Sequence, residues 1–191
     1  HREFHKLFIE TSADLSQQAV FARKCLWGFP DAQGRHNNVD WPYTAFMAVS
    51  ERLKAFDCDK ESFIGMYRND DTPQAMLDTE LAGRYGRFTD AIAALQVAVT
   101  LKPAESKTVV FTLGAAENGR ESASELIARY TSPEKSAQAF EDVQRFWSRF
   151  IDGERVETPD DALNFMTNYW MKYQAISCRL WGKSALYQVS A

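Results

Sequence analysis

The sequence predicts a β-sandwich that is followed by helices, and three observations support this prediction. The segment 94–102 places apolar residues at every second position, which is the period of a β-strand. The segment 109–113 repeats this alternation after a proline turn, so these two strands are expected to form a hairpin. After Gly114 the apolar spacing changes to three and four, which is the period of a helix. An apolar strand face needs a covering layer, so we expect a sandwich.

Earlier segments extend the β region to about residue 115. Three of them are rich in strand-forming residues, namely 4–11, 19–27 and 43–50. A polar, turn-rich loop at 31–38 separates the second segment from the third. A short helical turn is expected at 59–65, and a loop that carries a short helix is expected at 73–81.

Three helices are predicted after the sandwich. The first covers 121–130, and the second begins at Pro133 and ends at Gly153. The third begins at 158–161, with Thr158 as the capping residue and Pro159 in the first helical position. It carries an aromatic stripe to Arg179 over about 30 Å. We expect this stripe to be buried on more than one side, and its natural neighbours to lie in a helical domain further along the chain.

Composition excludes several classes of protein. The 191 residues contain 22 basic and 26 acidic side chains, so the net charge is −4, and 45 % of the residues are hydrophobic. This is typical of globular proteins and gives no general attraction for nucleic acid or for anionic membranes. Three cysteines in no metal-binding or redox spacing favour free thiols and a cytoplasmic location. The chain begins with His1, and both ends are expected to be cuts in a longer protein.

No self-contained catalytic motif is present. The zinc-protease, nucleophile-elbow, P-loop and dinucleotide-binding patterns are all missing from the sequence. The acidic run that begins at Asp57 imitates a calcium loop, but Ser62 and Arg68 occupy the positions that need glycine and glutamate. We therefore expect a turn with a helix cap at Asp59. The three histidines, at positions 1, 5 and 36, show no catalytic partner.

Aromatic residues leave two non-catalytic alternatives open. Trp147 and Trp170 lie on helical stripes and are expected in a core, whereas Trp41, beside Pro42 and the polar loop, is the tryptophan expected to be exposed. A freestanding carbohydrate-binding sandwich would use Trp41 and the loop 31–38. A module whose sandwich mainly builds a dimer is the other alternative.

Several strings taken together resemble one enzyme family. The strings in the β region are 6–11, 57–65, 90–96 and 110–114, and the more specific ones that follow are 156–160, 168–174, 178–184 and 187–188. In order and spacing they resemble the sugar phosphorylases of glycoside hydrolase family 94. The family often has Ser-Gly-Tyr-Tyr-Gln where this chain has 184–188, Ser-Ala-Leu-Tyr-Gln.

The resemblance implies a three-part fold. Residues 1–116 would be the later part of a large antiparallel β-sandwich, and 117–153 would be a helical linker. Residues 154–191 would be the start of an (α/α)₆ catalytic barrel, truncated after its first helix.

The resemblance also implies an activity. Members of this family cleave β-glycosidic bonds with inorganic phosphate as co-substrate and invert the anomeric centre, without a metal or other cofactor. They are usually homodimers in which the sandwich contributes to the partner's site. The family's catalytic Asp would lie beyond residue 191, so no catalytic residue is assigned and the chain alone is expected to be inactive. Substrate binding is predicted for Trp41 from its surroundings and, from the family's approach to the site, for Arg179, Trp181, Tyr187 and Gln188, for which packing in the barrel is the alternative.

Overall fold

The computed structural model describes residues 6–26, 31–34 and 41–182, apart from the side chains of residues 179 and 180. The three histidines and Trp27 lie outside this part of the chain. The strands are β1 (Ile9–Asp14), β2 (Ala19–Lys24), β3 (Thr44–Val49), β4 (Leu53–Asp59), β5 (Ala91–Val97) and β6 (Phe111–Ala116). The first helices are α1 (Lys60–Ile64), a 3₁₀ turn (Gln74–Met76), α2 (Arg120–Tyr130) and α3 (Pro133–Asp152). The last helix combines α4 (Asp161–Phe165), a π segment (Met166–Trp170), α5 (Met171–Gln174) and a second π segment (Ala175–Trp181).

Two antiparallel sheets form the β region, which confirms the sandwich-like part of the predicted fold. The larger sheet has the order β1-β2-β3-β6, and the smaller one pairs β4 with β5. The predicted hairpin between 94–102 and 109–113 is wrong, because β5 pairs with β4 while β6 pairs with β3. Strand β5 already ends at Val97, and the irregular chain from 98 to 110 allows the next strand to join the other sheet. Val99 and Leu101, which continued the alternation, are exposed.

The core lies between one face of the larger sheet and helix α2. It contains Ala19, Phe21, Phe46, Ala48, Ala116, Ala123 and Ile127. Gly114 on β6 lies directly opposite Phe46 on β3, and a Cβ at position 114 would be 2.6 Å from the Cζ of that ring. A glycine is needed there because the aromatic ring occupies the space of a side chain.

The two short helical elements predicted between β4 and β5 along the chain are confirmed. Helix α1 follows Asp59, whose carboxylate accepts a hydrogen bond from the Glu61 amide at 3.0 Å. The 3₁₀ turn lies inside the predicted loop at 73–81. The three cysteines are free thiols, as predicted.

The last helix begins two residues later than predicted. Asp160, rather than Thr158, is the N-cap, and its carboxylate accepts hydrogen bonds from the amides of Ala162 and Leu163. Thr158 is not the cap, because its hydroxyl accepts a hydrogen bond from the Asp160 amide at 3.2 Å rather than from an amide of the helix, while its own amide and hydroxyl donate to the side-chain oxygen of Asn164. Pro159 therefore lies outside the helix.

The core position expected for Trp170 is not found in the described chain, and the apolar faces of the last two helices are exposed. The apolar face of α3 is between 46 % and 63 % exposed at Phe140, Val143, Phe146 and Phe150. Trp170 and Tyr173 on the last helix are about half-exposed as well, at 48 % and 55 %. The described residues thus cover only about half of these side chains.

The chain divides into two compact units, residues 1–136 and 137–191. The division falls inside α3, and the three-part organisation expected from the sequence stays a prediction. Among the described residues, no helix combines the length and the apolar character of a membrane span.

Candidate functional site

The first unit contains one of the predicted substrate-binding residues, Trp41. It lies just before β3 and is 55 % exposed, which confirms its predicted exposure. Its ring centroid is 5.5 Å from that of Tyr43. The Tyr43 hydroxyl donates to a Glu117 carboxylate oxygen at 2.5 Å, and this hydrogen bond and the carboxylate charge raise the pKa of the phenol. An exposed indole beside a tyrosine and a carboxylate offers both a stacking surface and polar partners for a sugar ring.

The second unit contains two more of these residues. Trp181 closes the last helix, is 66 % exposed and meets Trp147 edge-on at 5.8 Å between centroids. Arg179 belongs to the second π segment of the helix, but its side chain lies outside the description. Tyr187 and Gln188 also lie outside the described residues. The structure therefore places Trp41 and Trp181 in different units, and the substrate-binding role of all five residues stays a prediction.

Two asparagines of the last helix hold the backbone that leads into it. The Asn168 side chain accepts a hydrogen bond from the Val156 amide at 2.8 Å and donates to the carbonyl of the same residue at 2.7 Å. The Asn164 side chain likewise accepts a hydrogen bond from the Thr158 amide and donates one to the Thr158 carbonyl, both at 2.8 Å. Asn168 is only 3 % exposed. We call Asn164 and Asn168 the asparagine clip.

The spacing of the clip follows from helix geometry. Four residues of an α-helix rise about 6 Å, while two residues of extended chain reach at most about 7 Å. Side chains at positions i and i+4 of the helix can therefore bond every second residue of an adjacent segment. An amide side chain both donates and accepts. Each asparagine therefore makes the two backbone hydrogen bonds that a neighbouring β-strand would otherwise make to that residue.

Lys172 continues the row of the clip one turn further along the helix. Its ammonium group donates to the carbonyl oxygens of Ile151 and Glu154, at and just beyond the end of α3. A cation there complements the negative end of the α3 dipole and satisfies carbonyls that have no partner within the helix. Sequence reasoning missed the structural role of this row, although polar residues at i, i+4 and i+8 interrupting an aromatic stripe were a usable signal.

A charged cleft of about 610 Å³ lies beside α1, in the segment 57–65 that resembles the family. Asp57 is 1 % exposed and accepts hydrogen bonds from the Asp59 amide and the Ser62 hydroxyl, both at 3.0 Å. Lys60 pairs with Asp70 at 3.2 Å at the start of the helix. These contacts show that the acidic run organises a turn and a helix start.

Hydrogen bonding shifts the pKa of several described groups of the first unit. The pKa values of the Glu10, Asp14 and Glu61 carboxyl groups are shifted downwards by hydrogen bonds to their charged or polar neighbours. A general acid needs the opposite shift, so these three groups do not suit that role. Burial and then the charge of Asp57 raise the pKa of the Cys58 thiol to about 11, so this thiol is protonated at neutral pH.

Comparison with known proteins adds two consecutive matches. A model of the glycosyl hydrolase 94 supersandwich domain matches residues 1–133, and a model of the glycosyl hydrolase 94 superfamily catalytic domain matches residues 146–191. The asparagine clip and Lys172 lie in the second match.

Similar proteins include a synthase and several phosphorylases. The chain is 33 % identical to the cyclic β-(1,2)-glucan synthase NdvB of Rhizobium meliloti over 155 residues, which are 80 % of this chain and 5 % of the synthase. It is 27 % identical to solabiose phosphorylase of Paenibacillus borealis over 76 % of this chain and 19 % of that enzyme. For N,N′-diacetylchitobiose phosphorylase of Vibrio furnissii the identity is 24 %, over 78 % of this chain and 18 % of that enzyme. The aligned region thus spans less than one fifth of each of these relatives.

Proposed function

This chain belongs to the glycosyl hydrolase 94 family, and on that membership we propose that it is a segment of an inverting β-glycoside phosphorylase. The enzyme would transfer a glycosyl unit between a β-linked di- or oligosaccharide and inorganic phosphate. The observation that carries the proposal is the ordered pair of family matches, sandwich first and catalytic domain second. Similarity to enzymes named as phosphorylases supports the reaction class.

The proposed reaction needs one acid and one nucleophile. A carboxylic acid protonates the leaving glycosidic oxygen while a phosphate oxygen attacks the anomeric carbon from the opposite face, in the place that water takes in an inverting hydrolase. The C–O bond to the leaving sugar breaks as the C–O bond to phosphate forms, so a β-linked substrate yields an α-configured sugar 1-phosphate. We place the acid beyond residue 191, as the resemblance of the sequence to the family implies.

The described residues would then position the catalytic domain. Residues 154–191 would supply the first helix of an (α/α)₆ barrel, after a sandwich segment at 1–116 and a helical linker at 117–153. The asparagine clip and Lys172 would fix how this helix starts. Its exposed aromatic face would pack against later barrel helices, while Arg179, Trp181, Tyr187 and Gln188 would approach the sugar site.

Partners and location follow from the same proposal. The enzyme would bind a β-linked oligosaccharide and phosphate and would form a homodimer through its sandwich. The three free thiols favour a reducing compartment such as the cytoplasm.

The similarity to a glucan synthase favours a second candidate function. The identity of 33 % to NdvB is higher than the identities to the two phosphorylases above, so the chain could be part of a protein that acts on β-1,2-linked glucan. This candidate changes the substrate, and it places the chain inside a much longer polypeptide.

Phosphorolysis by the longer polypeptide that carries this chain tests both candidates. It is incubated with phosphate and each of cellobiose, solabiose, N,N′-diacetylchitobiose and β-1,2-linked gluco-oligosaccharides, and sugar 1-phosphate is measured. We expect release from at least one substrate, with an α-configured product by proton NMR. Release from the β-1,2-linked sugars alone would favour the second candidate. No sugar 1-phosphate from any substrate would contradict the reaction class, and a β-configured product would contradict inversion.

Variants test the predicted substrate-binding residues in the same assay. Trp41→Ala and Trp181→Ala are expected to raise KM by about tenfold, which is the effect of losing one stacked aromatic ring. Tyr67→Ala is the matched control, because Tyr67 is a 98 % exposed aromatic residue that carries no predicted role. Equal kinetics for all three variants would contradict sugar binding by the two tryptophans.

A further inference from the structure

A second polar cavity, of about 360 Å³, lies on the helix-covered face of the larger sheet. Phe21 lies on this face, and β1, β2 and β3 contribute Ser12, Arg23 and Thr44 to the lining. The register brings these residues together, because Ser12 pairs with Phe21 and Arg23 pairs with Thr44 across neighbouring strands. The beginning of helix α2 forms the remaining wall of the cavity.

Helix α2 begins at this cavity without a side-chain cap. Its N-cap is Gly119, in the left-handed conformation with φ of 86°, and no side chain bonds the free amides of its first turn. Gly119 and Arg120 both line the cavity. The eleven-residue helix therefore presents uncapped amide groups and the positive end of its dipole here.

Arg120 is held in a fixed orientation beside the cavity. One of its terminal nitrogens donates to Asp14 at 3.0 Å, and its guanidinium carbon lies 4.4 Å from the centre of the Phe21 ring. An arginine has five N–H donors in a rigid plane. The described contacts with Asp14 use one of these donors, so the others are available to an acceptor in the cavity.

Two hydroxyl groups without partners complete the lining. Thr44 is nine-tenths buried, and its hydroxyl has no hydrogen-bond partner among the described residues. The same holds for the hydroxyl of Ser12, within the part of the chain that the structure describes. A buried hydroxyl gains from a partner, so the Thr44 side chain is a second and independent indication of a polar ligand.

The charge around the cavity favours an anion. Glu10 contributes a carboxylate, but Arg23 donates to it at 2.7 Å and Arg87 at 3.2 Å, so it is already neutralised. Asp14 is likewise paired with Arg120 at 3.0 Å. Both carboxylates beside the cavity are thus held by guanidinium groups, and the beginning of α2 adds the positive end of its dipole. Glu121 in the first turn of α2 is not part of the lining.

We propose that this cavity binds a phosphate group, either as inorganic phosphate or as the phosphate ester of a monosaccharide. A tetrahedral anion accepts hydrogen bonds from a guanidinium fork, from uncapped helix amides and from hydroxyls at the same time. The volume lies at the lower end of the range of small-molecule sites, which suits a ligand no larger than one phosphorylated sugar. This site goes beyond the proposed catalytic function and does not depend on it.

Calorimetric titration of the full 191-residue chain tests the site, with inorganic phosphate, glucose 1-phosphate and glucose as probes. Arg120→Gln removes the guanidinium, and Thr44→Val replaces the hydroxyl with a side chain of similar shape. Arg129→Gln is the matched control, because Arg129 lies at the other end of α2, stacks on Tyr130 at 5.2 Å and carries the same charge. Circular dichroism checks the fold of each variant.

We expect Arg129→Gln to bind each phosphate probe as tightly as the wild type does. Neither protein should bind glucose. Arg120→Gln should weaken binding by about tenfold or more, and Thr44→Val by about threefold to tenfold. Tighter binding of glucose 1-phosphate would assign the cavity to the ester, and tighter binding of phosphate would assign it to the free ion. The proposal is overturned if neither anion binds, if glucose binds as tightly, or if Arg129→Gln loses as much affinity as Arg120→Gln. Should Arg120→Gln fail to fold, unchanged binding by Thr44→Val overturns it.

Discussion

Replacing Asn168 with leucine removes the buried half of the asparagine clip. The two lost hydrogen bonds to Val156 are worth about 1 kcal/mol each. Leucine is the better helix former and returns about 0.5 kcal/mol. Val156 is 43 % exposed, so water can reach part of its freed backbone and limits the further desolvation cost. We therefore expect a loss of about 2 kcal/mol in the free energy of unfolding of the second unit.

Two measurements on the 191-residue chain check this expectation. Urea unfolding gives the loss of stability, and amide hydrogen exchange at Val156 reports directly on the bond to the Asn168 side chain. Gln144→Leu is the control, because Gln144 is an exposed amide residue on α3, and it should change stability by no more than about 0.5 kcal/mol. Unchanged exchange at Val156 in Asn168→Leu, together with a stability like that of the control, would refute the reasoning.

Replacing Asn168 with aspartate removes the hydrogen bond that the side chain donates and keeps the one that it accepts. Asn168→Asp keeps an acceptor for the Val156 amide but places a negative charge against the Val156 carbonyl, so the folded state raises the pKa of the new carboxyl. The sign then follows from linkage: the cost is present at neutral pH and disappears as the pH falls below the unfolded pKa, where the protonated acid can donate again. Stability that rises towards acidic pH relative to wild type is expected, and a pH-independent difference would contradict the role of the donor.

Three further predictions concern the first unit. Gly114→Ala should cost about 1–3 kcal/mol in unfolding experiments, because its Cβ would meet the Phe46 ring at 2.6 Å, and adding Phe46→Leu should restore part of that loss if the contact is the cause. Hydrogen bonds from Arg87 and then from Arg23 lower the pKa of Glu10 to about 2, so its contribution to stability is present above pH 4.5 and is lost as the pH falls towards 2. The stability difference between wild type and Arg87→Gln should shrink over that interval, and a constant difference would exclude Glu10 as its source. Burial raises the pKa of Cys58 to about 11, so thiol reagents should modify it at pH 8 only after unfolding, and fast labelling of the native chain would contradict its burial.

Local sequence signals predicted the elements whose hydrogen bonds stay within a few residues. Asp59 caps α1 through the amide two residues ahead, and Pro133 begins α3, as the sequence indicated. The same reasoning failed for Thr158, because its hydroxyl accepts from the Asp160 amide, while the carboxylate of Asp160 accepts from the amides of Ala162 and Leu163 in the first turn of the helix. Thr158 and Asp160 are both residue types that favour the N-cap, so the sequence alone did not decide between them.

Strand pairing could not be read from alternation. The period of two in 94–102 correctly indicated a strand, but the period is the same for any partner, so it could not tell that β5 joins β4 and β6 joins β3.

Of the five predicted substrate-binding residues, Trp41 was correctly expected to be exposed from its neighbours in the sequence. The cavity beside Arg120 was not predicted, because its lining comes from three strands and a helix up to 110 positions apart (10 to 120).

The sequence by itself determined the strands and helices that local spacing encodes, the cap at Asp59 and the beginning of α3 at Pro133. It also determined the family, because ordered motifs can be recognised without knowing which residues are in contact. Only the tertiary structure decided which strands pair, how Asn164, Asn168 and Lys172 hold the entry to the last helix, and where unpaired hydroxyls meet uncapped amides. The physical reason is that these features are pairings between groups distant in the chain, and their free energy depends on distance and burial, which the order of residues does not specify.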